Sequence, residues 1–378
     1  MRKLRRCSKV NNFYYYNPVK VIFGIDTLYK IDELVKSRRA LIVTSPGMKR
    51  RDTLEKVVSF VQNIEGIIDD IQPNPTFETL AYYYQQVNYN EVDVIIALGG
   101  GSVIDTAKAL AVSVENRNFS ILEQSIKSGS LHNANYKIIP FISIPTTAGS
   151  GSEVTPWATI WDEGKKEKYS LHLPDLWSEA CICDPSLTLP LPQDITIITA
   201  LDALSHSFES IWNKNANPIS NVFAIDAAKT ILCKLPCLIN NLNNIELRSE
   251  IMLSSLKAGL AFSNTQTAIA HAMSYYMTLH KNLVHGIAVS FTLPDIIDTV
   301  IGTNQLVDES IFKILGSNPV EEMKTFLESI GISTRFSEHG ISKEDLLRIK
   351  SAVTNVPRAK NSIVEIDKLF ENFVANSL

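Results

Sequence analysis

Cysteine is scarce in this chain and odd in number: five in 378 residues, at Cys7, Cys181, Cys183, Cys233 and Cys237. That set supports no disulfide framework and has no zinc-ribbon spacing. The thiols are expected to be reduced and packed as small apolar side chains. No apolar run reaches the ~18 residues of a membrane span, so no membrane partner is expected. The basic start, Met1 to Cys7, is followed by the polar run Ser8-Lys9-Val10-Asn11-Asn12 rather than by the apolar core of a signal peptide. Neither sign of charge dominates, with 36 Lys and Arg against 40 Asp and Glu and a net charge of -4. A balanced chain has no general attraction to a polyanion, which argues against nucleic acid as a partner. There is no internal repeat and no long Gly/Ser/Pro linker. These absences leave a globular protein, expected in the cytoplasm. With 45% hydrophobic residues it is rich enough to build cores, and it is long enough for two domains.

What is present divides into two textures. The first half alternates β-branched runs with helix-period stretches. Strands are expected at Val21–Phe23, Arg39–Thr44, Gly66–Ile68 and Val92–Leu98, and over Lys137–Pro145 with Pro140 as a blemish. Helices are expected at Asp52–Ile64, Thr76–Asn88 and Ser102–Val114. Such alternation builds a mostly parallel sheet covered on both faces. Beyond the proline-rich stretch near Leu189 strand runs become rare. Asp194–Asn213, Pro218–Cys233 and Glu321–Ile330 read as helices, and Ile245–His280 as at least two more. The expected architecture is an α/β domain over residues 1–189 with a parallel sheet and an all-α domain over 190–378.

Three segments carry chemistry. Gly99-Gly100-Gly101-Ser102 joins a buried strand to a helix. Glycines permit close approach of a ligand and positive φ, and the helix start offers unpaired N–H groups with Ser102 as a candidate cap. The turn suits a pyrophosphate, although it is neither G-x-G-x-x-G nor a P-loop; a plain tight turn is the competing reading. A second glycine- and hydroxyl-rich loop, Thr146-Thr147-Ala148-Gly149-Ser150, follows the next strand, where open α/β sheets bind ligands. In the helical half, Asp202 and His206 lie four apart, on one helix face. With His271 and His285 they suit Fe(II) or Zn(II). By spacing alone a surface ion pair explains them as well.

Together these motifs, in this order from Asn17-Pro18 to Pro294, resemble the iron-containing (group III) alcohol dehydrogenase family. The resemblance implies a dinucleotide-binding domain, a helical metal-binding domain and an active site in the cleft between them. It implies that Gly99, Gly100, Gly101 and Ser102, followed by Asp105 and Lys108, hold the NAD(P) pyrophosphate. Thr146, Thr147 and Ser150 fall in the second cofactor loop, and Lys168 lies near the nicotinamide. Asp202, His206 and His285 match metal ligands, and His271 matches a histidine just outside the first ring of ligands, suited to a proton relay. Two departures stand out. Where four-ligand members carry a further histidine four residues before His271 there is Thr267, preceded by Gln266. Where NAD-specific members carry an Asp after the second strand there is Ser45, with Lys49, Arg50 and Arg51 behind it, which favours NADPH over NADH.

Within the family, Thr155–Asp162, Tyr169–Pro174, Ile211–Pro218 and Ala258–Thr265 are most similar to the phosphonoacetaldehyde reductases. That implies reduction of phosphonoacetaldehyde to 2-hydroxyethylphosphonate, with His172, Lys214 and Lys281 as candidate cations for the phosphonate. A lactaldehyde- or propanediol-type dehydrogenase, a non-catalytic nucleotide-binding relative and a lyase like the dehydroquinate synthases are the alternatives. The expected partner is a small aldehyde, and the chain is compatible with a homodimer.

Overall fold

A computed structural model describes residues 12–131, 135–354 and 356–376. Ten strands are present among them: β1 (Lys20–Phe23), β2 (Ala40–Thr44), β3 (Ile64–Ile68), β4 (Val94–Gly99), β5 (Val112–Val114), β6 (Tyr136–Ile138), β7 (Phe141–Pro145), β8 (Trp157–Asp162), β9 (Glu167–His172) and β10 (Ala180–Cys183). Six of them form one sheet in the order β1-β10-β7-β4-β2-β3. Every pairing in it is parallel. β2, β4 and β7 are buried at every residue. Both faces are covered, so their sequences run apolar without alternation. Side chains nonetheless alternate between the two cores. Ile42, Ile96 and Ile142 join Leu28, Ile31 and Val57 on one face. Leu41, Val43, Ile95 and Ala97 join Leu80, Ile104 and Leu110 on the other.

The strand order reverses between β2 and β4, the place where open α/β sheets present a ligand crevice. β4 and β7 are neighbours in register, with Gly99 opposite Pro145. Their following loops, the glycine turn and the hydroxyl-rich loop, therefore emerge side by side.

The parallel sheet and the helical second half agree with the expected fold, with local corrections. The expected strand Lys137–Pro145 is two strands. Pro140 lacks an N–H, and the chain breaks there: β6 pairs antiparallel with β5, while β7 enters the main sheet. The helix expected over Ser102–Val114 ends at Ala111, because Val112–Val114 is spent on β5. The β8–β9 hairpin and β10 had no strong sequence signal. The cysteines also divide: Cys181 and Cys183 are buried in β10, whereas Cys233 and Cys237 are exposed on a helix rather than packed. Cys7 lies outside the described residues.

In the second half three long helices, Gln193–Ile211, Pro218–Ile239 and Ile245–Thr265, pack on one another. Asn217 starts the second, accepting from the N–H groups of Ile219 and Ser220 with Pro218 in the first helical position. Asn244 caps the third. The proline-rich junction is tied to them by the buried Arg248, which donates to the Leu191 carbonyl at 3.0 Å and to Thr196 Oγ1 at 2.8 Å. The stretch Ile245–His280 breaks at Gln266, whose φ of 65° stops one helix before Ile269–Lys281 begins. The segment ahead of β1 reaches across: Asn17 Nδ2 donates to the Val154 carbonyl at 2.9 Å and to Ser263 Oγ at 3.3 Å. No helix among the described residues is long and apolar enough to cross a membrane.

Candidate active site

A cavity of about 580 Å³ lies between the two halves. One end is formed by the glycine turn and the loop after β7, and the other by the helices carrying Asp202, His206, His271 and His285.

The glycine turn is a matter of space rather than of unusual backbone. None of Gly99, Gly100 and Gly101 has a positive φ. A Cβ on Gly99 would lie 2.5 Å from Val103, and one on Gly101 2.9 Å from Ser150. Any larger residue at Gly101 would push the two ligand-facing loops apart. The helix begins at Gly101 with no side-chain cap. Ser102, the expected cap, instead accepts the Asn74 N–H at 3.1 Å. The first N–H groups of the helix remain for a ligand.

Several expected cofactor residues face elsewhere. Lys108 is fully buried and lies outside the cavity. Its ammonium donates to the Ser152 and Trp157 carbonyls, both at 2.7 Å, and to Ser152 Oγ at 2.9 Å. Burial brings its pKa down to about 8, opposed by Asp105 and Glu153. Asp105 reaches the cavity wall, but its carboxylate accepts from Ser152 Oγ at 2.6 Å and from the Thr159 N–H at 2.8 Å. Both residues brace the second loop and β8. Thr146 is buried, its N–H on the Gly99 carbonyl at 3.1 Å, whereas Thr147 and Ser150 line the cavity. Ser45 precedes the short helix Pro46–Lys49 and does not cap it. Behind it, Lys49 pairs with Asp69 at 3.2 Å.

At the other end, Asp202 Oδ1 is the centre of a ring of imidazoles. Nε2 of His271 lies 3.4 Å away, and Nε2 of His206 and of His285 each 3.7 Å away. Neither Asp202 Oδ1 nor His271 Nε2 has a hydrogen-bond partner, although both are buried. Ligand atoms of Asp202, His271 and His285 all lie within 4.8 Å of one another. Buried polar atoms that converge without bonding one another fit a divalent ion between them. The charge states of Asp202, His206 and His285 agree, while at His271 burial is outweighed by Glu209 and Asp202, which raise the pKa, so a metal there would displace the Nε2 proton. Burial would neutralise Asp202, but the three imidazoles outweigh it and hold its carboxyl well below the usual range. Burial brings His206 down to about 4 and His285 down to about 3, each against the pull of Asp202, so both rings are neutral donors at pH 7.

His271 thus stands within the ring of donors rather than one position outside it. The reason is Glu209, which the sequence reading missed. Glu209 is completely buried three residues beyond His206 on the same helix. Its Oε2 holds His271 Nδ1 at 2.7 Å and the Ala268 N–H at 2.8 Å, and its Oε1 accepts the Ala270 and His271 N–H groups. The carboxylate both caps the helix Ile269–Lys281 and turns the other ring nitrogen of His271 toward Asp202. The i, i+4, i+7 spacing of Asp202, His206 and Glu209 was the available signal. His206 is itself fixed by stacking, 4.0 Å from the Phe262 ring and 4.6 Å from that of His271. His285 is brought in by Gly286, where a Cβ would lie 1.9 Å from the Ile198 carbonyl oxygen. The Gln266 amide oxygen is not among the donors: Gln266 is exposed and accepts from Asn361 Nδ2 at 3.2 Å. Thr267 Oγ1 is buried in the cavity wall without a partner.

Between the two ends, Lys168 projects from β9 over two rings, 4.5 Å from the centroid of Tyr275 and 5.3 Å from that of Trp161. Burial brings its pKa down to about 7, with repulsion from Arg358 in the same direction and attraction from Asp202 and Asp105 against it. Of the cations expected for a phosphonate, His172 lines the cavity. Lys281 is paired with Asp345 at 2.6 Å, and Lys214 is exposed; neither lines the cavity.

Two family models cover most of the chain: iron-containing alcohol dehydrogenase over residues 18–185, and Fe-containing alcohol dehydrogenase family, C-terminal, over 196–365. The chain belongs to the iron-containing alcohol dehydrogenase family and is an oxidoreductase. Choline dehydrogenase of Bacillus subtilis is 30% identical over 72% of this chain and 69% of its own length. Sulfoacetaldehyde reductase of Bilophila wadsworthia is 26% identical over 96% of this chain and 100% of its own. The crystal structure of sulfoacetaldehyde reductase from Bifidobacterium kashiwanohense in complex with NAD+ superposes with a TM-score of 0.87 at 25% identity, covering 97% of this chain and 98% of that one.

Proposed function

We propose that this chain is a metal-dependent NAD(P)H reductase of a short aldehyde, with phosphonoacetaldehyde, reduced to 2-hydroxyethylphosphonate, as its substrate. The observation that carries the reading is the convergence of His206, His271 and His285 on Asp202 Oδ1 with no hydrogen bond among them. Those four side chains would hold Fe(II) or Zn(II), which supplies polarisation of the carbonyl and stabilisation of the alkoxide. The dinucleotide supplies the hydride. The N–H groups at Gly101 and Ser102, with Thr147 and Ser150 opposite, orient its phosphates. Trp157, Trp161 and Phe262 wall the cavity and limit water. Lys168 Nζ, with a pKa of about 7, is matched to giving the product oxygen its proton at neutral pH. This moves the proton-relay role from His271, whose Nδ1 is committed to Glu209.

On the coenzyme, Ser45 leaves no carboxylate at the end of β2, which supports NADPH. Lys49 is spent on Asp69, so Arg50 and Arg51 are the cations left for a 2′-phosphate. A complete ring of donors argues against the non-catalytic relative. Sulfoacetaldehyde is the second reading for the substrate, favoured by the relatives named for that activity.

The test compares NADPH and NADH oxidation by metal-loaded protein on phosphonoacetaldehyde, sulfoacetaldehyde and lactaldehyde, with metal content measured alongside. His206→Ala is expected to lose bound metal and at least about a thousandfold in kcat. Unchanged turnover in metal-stripped protein would sink the metal reading. Lactaldehyde as the preferred substrate would sink the phosphonate reading and keep the dehydrogenase.

A further inference from the structure

Two cations meet in the cavity with no acid between them. Arg358 lies on the short turn Pro357–Asn361, far along the chain from every motif in the sequence. Its Nη1 donates to the Tyr275 hydroxyl, and its guanidinium carbon sits 5.8 Å from the Tyr275 ring centroid. Lys168 Nζ lies 4.5 Å from the centroid of that same ring. Neither cation is ion-paired among the described residues. The nearby carboxylates face other groups: Asp105 is bonded to Ser152 and Thr159, Asp202 is turned to the three imidazoles, and Glu209 is bonded to His271 and its helix start. Burial and repulsion from Arg358 both weigh against the Lys168 charge. Two like charges gathered on one ring in the cavity that holds the donor ring point to an anionic ligand.

We propose that Arg358, supported by the Lys168 ammonium and aligned by Tyr275, binds a tetrahedral oxyanion at the far end of the aldehyde substrate. This rests on the aldehyde-reductase reading above and deepens it by naming the residue that selects the substrate class. The register fits. Tyr275 is one helical turn beyond His271, so its side chain is displaced from the donor ring by about 6 Å. Arg358, held on the Tyr275 hydroxyl, thus shares the cavity with the donor ring without belonging to it. A guanidinium offers paired N–H donors to two oxygens of such a group. Asn361 and His172 complete the polar wall of this end. Phosphonate and sulfonate share this chemistry, and the experiment separates them.

The test has a kinetic arm and a binding arm. In the first, kcat/KM of metal-loaded protein is measured for phosphonoacetaldehyde, sulfoacetaldehyde and propionaldehyde, in the wild type and in Arg358→Gln and Arg358→Lys. The ratio of charged to neutral kcat/KM is expected to fall about a hundredfold in Arg358→Gln and to recover partly in Arg358→Lys. The anion with the higher wild-type ratio identifies the source. An equal loss on charged and neutral aldehydes, or a larger loss in cofactor affinity than in aldehyde affinity, overturns the assignment. In the second arm, tryptophan fluorescence of cofactor-free protein is titrated with 2-hydroxyethylphosphonate, isethionate and ethylene glycol, since Trp157 and Trp161 line the cavity. Saturable quenching by an anion that weakens at least about tenfold in Arg358→Gln supports the site. Quenching insensitive to the substitution, or no difference between anions and ethylene glycol, overturns it. If the wild type reduces no aldehyde, the reductase reading fails, and the binding arm still decides the anion site.

Discussion

The two ends of the cavity are built on opposite terms. The sheet end presents backbone: N–H groups at a helix start, held in place by glycines that let the loop after β7 approach, with Gly101 against Ser150. Its conspicuous side chains largely work as braces: Lys108 holds Ser152 from behind the surface, and Asp105, though it reaches the wall, spends its carboxylate on Ser152 and Thr159. The helical end presents side chains: three imidazoles aimed at one carboxylate oxygen, each ring oriented by a different device. His271 is held by Glu209, His206 by stacking on Phe262, and His285 by the approach of Gly286 to Ile198. The lesson is that a loop motif in an α/β domain marks a backbone shape, and its charged members are as apt to be braces as binders. A dispersed set of donors has no local motif, so it must be recognised by what fixes each donor in place.

The comparison breaks most readily at Glu209. Replacing it with Ala removes the acceptor for three N–H groups and for His271 Nδ1. Metal affinity is expected to fall about ten- to a hundredfold, the usual worth of such an outer partner. Stability is expected to fall by about 3–5 kcal/mol, because several buried N–H groups are left without their acceptor. Glu209→Gln keeps one acceptor oxygen, enough for the Ala270 and His271 N–H groups, so it should recover part of the stability but not the metal affinity. Metal content and a denaturation midpoint on the same samples check this. If both variants bind metal normally, His271 is held by something other than Glu209.

Next in size is Lys108. If it is a brace, Lys108→Met leaves Asp105 and Glu153 buried without their cation, and the Ser152 and Trp157 carbonyls without a donor. A loss of about 3 kcal/mol in stability is expected. The KM for NADPH should change less than about threefold. A large rise in that KM with an unshifted denaturation midpoint would return Lys108 to the cofactor site.

How much of this was legible follows the same division. The buried strands Ala40–Thr44 and Val94–Gly99 were plain, because continuous β-branched runs between turn residues have few other readings. The β8–β9 hairpin was not: Trp157–Asp162 and Glu167–His172 mix aromatics and charges because one side faces the cavity. Asp202 and His206 were visible as a pair on one helix face, but spacing alone did not separate metal donors from a surface ion pair. The membership of His271 in the ring was not visible, since it depends on a hydrogen bond to Glu209 across 62 residues of sequence. Arg358 had no local signal at all. Its position comes from packing of the turn Pro357–Asn361 on the helix Ile269–Lys281, and no run of sequence encodes that.

The smallest expected effect concerns Lys168, the residue between the two ends, and it has a sign on each of two observables. Its ammonium titrates near 7 in the folded protein and near 10.5 when unfolded. Between those values the unfolded chain holds the additional proton, so this residue contributes stability that increases as pH rises from about 7 toward 10.5 and is absent below 7. Catalysis runs the other way, because only the protonated form can give a proton to the product oxygen. The kcat for aldehyde reduction is therefore expected to fall about tenfold per pH unit above the apparent pKa. A bound oxyanion beside Lys168 favours the ammonium, so with a charged aldehyde the falling limb should lie at higher pH than with propionaldehyde. Lys168→Met should remove the limb for both substrates and flatten the stability profile across the same interval. A limb that persists in Lys168→Met would assign the proton to another group, and the Tyr275 hydroxyl, one turn from His271 and bonded to Arg358, would be the next to change.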